Sequence, residues 1–292
     1  MIPVTRSSKG QEGCFQPVPI FDHHVHSDSR NADDYEWMAL GGTQTVMIPC
    51  TAGEPHPGRK LYRARCDRLL RDEVGRAAAY GIDAYIALSI HPGDLVETPV
   101  DLDGLLEELR NHLDSSLVRA VGELSLRHDS ELEREAFAIQ LALAKERRLP
   151  VLLESPPDLD QYLAVLPTYL KLIQDSGIDP TLVSFMDMDA NKWRPLSGSG
   201  FGPAGVAVSP ASDALFSLRQ KLTDRDVVDL LNEFSSDEFM LNTGFHYGSA
   251  DPMGLARIAH RLQIRQRMTY TAVRRLVHDT AWSRFIGTTA EI

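Results

Sequence analysis

Cysteine is scarce in this chain: Cys14, Cys50 and Cys66 are the only three in 292 residues. An odd number at irregular spacing makes no disulfide framework, and without a Cys-x-x-Cys pair there is no zinc knuckle. No apolar run approaches the length of about eighteen residues that a membrane helix needs. The opening stretch MIPVTRSSKGQEG lacks the apolar segment of a secretory signal. Positive charge is also in deficit, with 30 Lys and Arg against 41 Asp and Glu and a formal net charge of −11. That balance disfavours non-specific attachment to nucleic acid or to an anionic membrane. Internal repeats and low-complexity tracts are absent. These absences lead us to expect a cytoplasmic protein with reduced thiols that acts on a small molecule and has no nucleic-acid or membrane partner, with oligomerisation left open.

What is present is an ordinary globular composition, 43% hydrophobic and 24% charged, in a length that suits one α/β barrel or two smaller domains. Residues 1–16 are polar and read as a mobile N-terminal arm. From residue 17 to 292, short apolar runs alternate with amphipathic stretches. Strand candidates rich in Val, Ile, Leu and Phe fall at 18–26, 43–51, 82–92, 118–126, 150–155, 181–189, 204–210 and 238–245. Helical spacing marks 60–80, 130–149, 158–177 and 212–235, with a further helix at 267–285. Eight strands alternating with helices predict parallel βαβ units closed into a single (β/α)8 TIM barrel.

In such a barrel the active site lies at the C-terminal ends of the strands, and polar residues collect there. The first strand ends in Asp22-His23-His24-Val25-His26. Side chains alternate along a strand, so His24 and His26 share one side, where two imidazoles can hold one metal ion. The fourth ends in Val121-Gly122-Glu123-Leu124. A carboxylate ending so apolar a strand needs a cation, either an arginine or a metal. His91 ends the third strand as a framework or substrate-binding histidine. Trp193 and Tyr247 sit on loops expected near the mouth, where they could grip an apolar substrate. The Gly-rich stretch Ser197–Gly202 falls before the seventh strand, on the opposite face, and reads as a turn. Arg59, Lys60, Arg63 and Arg65 read as a solvated helix face.

The blocks FDHHVH, SIHPGD and AVGELSL resemble, in order and spacing, those of TatD-like metal-dependent hydrolases of the amidohydrolase superfamily. NTGFHYGSADP resembles a block of one TatD-related subgroup. The resemblance implies an amidohydrolase-like barrel in which His24, His26 and Glu123 are metal ligands, Glu123 in a bridging position. It also exposes departures. Where the family has His at the ends of strands five and six, this chain has Glu154 and Asp187 or Asp189. Where it has Asp at strand eight, this chain has His246, or Gly244 if the gap in the alignment sits differently. A donor set so rich in carboxylate suits iron or manganese at least as well as zinc, and the expected base for activating water is missing. In this the sequence also resembles the amidohydrolase-fold nonheme di-iron monooxygenases of bacterial diterpenoid biosynthesis. That second resemblance implies two iron ions, dioxygen, an external electron donor, and hydroxylation of a bulky apolar acyl substrate in secondary metabolism. The alternatives are a TatD-like two-metal hydrolase, with zinc or manganese and a strand-six Asp as base, and a non-catalytic barrel that binds a ligand or partner.

Overall fold

The computed structural model describes residues 14–27, 30–51, 58–96, 100–210, 221–244 and 251–287. Eight strands appear at the expected places: β1 (Ile20–Asp22), β2 (Thr43–Pro49), β3 (Asp83–Leu88), β4 (Val118–Leu124), β5 (Val151–Glu154), β6 (Val183–Met186), β7 (Ala204–Ala207) and β8 (Phe239–Asn242). Strands β1 to β6 pair in parallel, in chain order, as one sheet; β7 and β8 form a second parallel pair. The two sheets meet at both edges. The Met188 amide donates to the Gly205 carbonyl at 3.0 Å beyond β6, and Asn242 and Thr243 at the end of β8 bond to His23 and Asp22 at the end of β1. The result is the expected α/β barrel of TIM type.

Helices fill the crossovers: α1 (Ala32–Leu40), α2 (Gly58–Arg68, continued by a π turn and one more helical turn to Ala78), α3 (Leu102–His112), α4 (Glu131–Arg147), α5 (Leu159–Ser176), the short α6 (Ala190–Trp193), α7 (Asp224–Glu233) and α8 (Gly254–Ile264). Their starts are written locally. Asn31 with Asp34, Ser130 with Glu133 and Thr223 with Asp226 each form a reciprocal capping box, which satisfies amides that a first helical turn leaves open. The stretches that become α1, α3 and α8 carried no helix expectation. Among the described residues no helix is long and apolar enough to cross a membrane. Phe15 packs edge-on against His260, and the Gln16 backbone exchanges two hydrogen bonds with the Gln263 side chain, at the end of the stretch expected as an arm.

The barrel interior is a packed core. Phe21, Met47, Ala87, Ala120, Leu152, Met186 and Met240, one or more from most strands, fill it. The C-terminal helix (Thr280–Phe285) closes its lower mouth, with Phe285 and Trp282 edge-on to Phe21 at 6.1 and 6.4 Å. The basic cluster after β2 is not simply solvated: Arg65 forms a two-pronged pair with the buried Asp94, and Arg59 reaches Glu107 and Glu108.

Strands β4 and β5 approach so closely at Gly122 that a Cβ there would lie 2.6 Å from the Leu152 Cβ and 2.9 Å from its carbonyl. Gly122→Ala should therefore overpack the wall, costing about 1–3 kcal/mol and lowering Tm by several degrees. Gly75→Ala, on an exposed helix where nothing lies within 4 Å, should leave Tm level or slightly higher. Calorimetry of the two variants checks the pair.

Candidate metal centre

The sequence brings three donors to one point. His24 and His26 follow β1 directly, and their Nε2 atoms lie 3.1 Å apart. Glu123, the last residue but one of β4, places Oε1 2.8 Å from His24 Nε2 and Oε2 3.9 Å from His26 Nε2. One ligand atom from each lies within 4.8 Å of the others, and all three side chains are buried. Despite the short contact, neither Glu123 oxygen accepts a hydrogen bond of proper geometry. A buried carboxylate in that condition carries a desolvation cost that hydrogen bonding ordinarily offsets; a cation shared with two imidazoles would offset it as well. The donor set, its burial and the state of the Glu123 oxygens fit a divalent ion.

Two buried groups hold the backbone of these donors, and a third lies beneath them. Asp22 is 1% exposed; one of its oxygens accepts from the amides of His24 (3.4 Å) and Thr243 (3.2 Å), the other from the Thr243 hydroxyl. Burial pushes the Asp22 carboxyl above its ordinary value, opposed by the bonds to Thr243 and His24. Ser89 at the end of β3 donates to the Glu123 carbonyl at 2.9 Å. His23 turns to Asn242, 3.1 Å away, and stacks on Phe285. Burial lowers its pKa to about 3, so this imidazole is neutral and forms part of the floor under the donors.

The other expected residues divide. His91 caps the turn Pro92–Leu95: its Nδ1 accepts from the Gly93 amide at 3.0 Å, which leaves Nε2 facing Glu154 at 3.6 Å. Asp187 is buried in a left-handed conformation, φ +57°. Its Oδ1 lies 3.8 Å from where a Cβ on Gly244 would stand, so the carboxylate faces the end of β8. Asp189 is instead the N-cap of α6 and accepts from the amides of Asn191 and Lys192. Among the described residues the convergent group holds His24, His26 and Glu123, without Glu154, Asp187 or Asp189. Trp193 is not at the mouth. It is buried against Phe239, the first residue of β8, and its indole N–H donates to Glu238. A large apolar side chain one turn into a helix packs against the barrel wall. His246 and Tyr247 lie outside the described residues. Cys50 is buried, and burial pushes its thiol pKa up, as for an inert core cysteine.

No protein-family model matches the chain. A metal-dependent hydrolase of uncharacterised function from Methanocaldococcus jannaschii is 27% identical over 240 residues, covering 82% of this chain and 88% of that protein. The TatD-like protein of Archaeoglobus fulgidus superposes with a TM-score of 0.66 at 20% identity, over 88% of this chain and 99% of its own. The chain is thus similar in sequence to a metal-dependent hydrolase and similar in fold to TatD-like proteins. A D-hydantoinase from a Bacillus species shares the TatD-like fold more remotely, with a TM-score of 0.64 at 13% identity, over 91% of this chain and 71% of the enzyme.

The monooxygenase expected from the sequence is thereby corrected, together with its oxidoreductase chemistry: the similar Methanocaldococcus jannaschii protein is a metal-dependent hydrolase, and a solved structure of like fold is a TatD-family hydrolase. The physical source of the error is identifiable. Exchange of imidazole for carboxylate alters metal preference but does not create redox chemistry, and zinc and manganese also accept carboxylates.

Asp22, Ser89, Thr243 and Asn242 were not singled out by the sequence reading. Their only signal is position: Asp22 lies within FDHHVH, Ser89 opens SIHPGD, and Asn242 and Thr243 open NTGFHYGSADP. Thr243→Val removes the hydroxyl clamp on Asp22 and keeps the amide. It should weaken metal binding about 10- to 100-fold, as loss of groups that orient ligands does, with a small change in Tm. Competition with a chromophoric chelator measures this; an unchanged affinity would show that Asp22 is fixed without the Thr243 hydroxyl.

Proposed function

We propose that the protein is a metal-dependent hydrolase in which His24, His26 and Glu123 hold a divalent ion. The observation that carries this reading is the convergence of two buried imidazole nitrogens on a buried carboxylate that has no hydrogen bond. The likeness to TatD-like hydrolases supports it. Such an ion supplies Lewis acidity and makes water a nucleophile near neutral pH. Two imidazoles and a carboxylate suit zinc, and also manganese or ferrous iron. Because hydrolysis requires no redox change, we assign zinc or manganese.

The chain's own residues do the rest. Glu123 places negative charge beside the imidazoles and compensates the cation. Asp22 fixes the backbone of His24, so the two imidazoles remain together. Asp187, whose Oδ1 faces the end of β8, is assigned to accept the proton that water gives up; Asp189 is committed to its helix cap. His91, its Nδ1 held by Gly93, offers Nε2–H toward Glu154 and the substrate space. Glu154 and His246 remain candidates for a second ion in a two-metal version of the same reaction.

Glu123→Ala should lose at least one bound metal equivalent by plasma emission analysis. It should also lower hydrolysis across a panel of phosphodiester, carboxylester and amide substrates by 100-fold or more, on the order of the loss when a charge-stabilising group is removed. Asp187→Asn should retain the metal and lose about 100-fold in kcat, the size of a general-base contribution. A Glu123→Ala protein with full metal content and undiminished turnover would reduce Glu123 to a structural residue and end the hydrolase assignment at this site.

A further inference from the structure

On the outer wall of the barrel, the C-terminal end of α1 meets the start of α8. A Cβ on Gly41 would be 3.3 Å from the Ala256 Cβ and 2.9 Å from the Met253 sulfur. The two helices present opposite charge. Outward on α1 are Asp33, Glu36, Trp37 and Leu40, spaced to form one stripe. Trp37 is 53% and Leu40 69% exposed. Outward on α8 are Arg257, His260 and Ile264, followed by the exposed Arg265 and Arg267. Arg257 is paired with Asp251 at 2.6 Å, and the rest of this stripe remains net positive. Between the stripes runs a groove of about 380 Å³, lined by Phe15, Pro17, Leu40, Met253, Ala256 and His260.

A tryptophan and a leucine exposed beside an apolar groove mark an interaction surface rather than ordinary solvent-facing wall. We propose that this face is a homodimer interface, in which α1 of one copy crosses α8 of a second and Trp37 enters the second copy's groove. A two-fold axis makes each contact twice, since one patch holds both the protruding residue and its recess. The charges select this pairing. Helix α1 on α1 would oppose Asp33 and Glu36 to themselves, and α8 on α8 would oppose arginine to arginine. Only α1 on α8 sets acid against base, with Arg257 also able to stack on the incoming indole. The face lies on the helical wall, away from the donors at the strand ends, so the proposal does not depend on the hydrolase reading.

The test is sedimentation equilibrium of the full chain over a concentration series. We expect a particle of twice the 32.5 kDa chain mass. Trp37→Asp should raise the dimer dissociation constant about 100-fold, as for loss of a buried aromatic anchor, while circular dichroism and metal content stay as in the parent. Glu36→Arg alone should weaken association about tenfold, a typical effect of a like-charge contact, and adding Arg257→Glu should restore it. That rescue separates a real interface from general destabilisation. A wild-type chain that is monomeric at every concentration overturns the proposal, as does a dimer that Trp37→Asp leaves intact. A monomer that dimerises only when residues 2–13 are deleted also overturns it, assigning the groove to the chain's own N-terminal segment; so does a monomer that binds a different protein through Trp37.

Discussion

The Asp22 carboxylate, itself outside the donor set, is the contact on which the centre rests. It accepts from the His24 amide on one side and from the Thr243 amide and hydroxyl on the other. One buried group thus joins the strand that carries the imidazoles to the last strand of the barrel. No backbone ladder does this, since β1 and β8 belong to separate sheets. Burial opposes its ionisation, and the bonds it accepts oppose burial. Those bonds are strongest when the carboxylate is charged, so the clamp and the charge support each other.

Closure by side chains places demands on what lies inside. His23 is neutral because burial forbids its charge, and it spends its Nε2 on Asn242. Gly205 leaves room where a Cβ would press on His23, Asn242 and the Met186 sulfur. Below, Phe285 stacks on His23 and meets Phe21 edge-on. The floor under the donors is therefore made of neutral, tightly fitted groups, and ionic character is concentrated at the strand ends above it.

Much of this was legible from residue order. Eight apolar runs with polar ends predict a parallel barrel because strands buried on both faces read as continuous hydrophobic runs, and all eight were found within those runs. The pair His24 and His26 was legible because alternation along a strand is a local property, and Glu123 because a carboxylate ending an apolar strand demands an explanation. What was not legible depends on distant contacts. Asp187 and Asp189 are two residues apart and look alike in sequence; a left-handed turn sends one toward β8 while the other caps a helix. Trp193 was expected at the mouth because it follows a strand end, but the helix that carries it runs toward the opposite face. The expected oxygen chemistry failed for a different reason. It rested on the identities of donors outside the convergent group, and identity alone does not fix a reaction.

The Asp22–Thr243 contact also bears on how the protein is made. All three convergent donors are translated by residue 123, and the strands that bear them belong to the six-stranded sheet. Their anchor at Thr243 arrives 120 residues after Glu123. A chain emerging from the ribosome folds from its N-terminus, so it holds both imidazoles and the carboxylate before it can close the barrel around them. During that interval the donors are present without their clamp. Closure of the barrel beside the three donors therefore waits for β8, the last strand to be made.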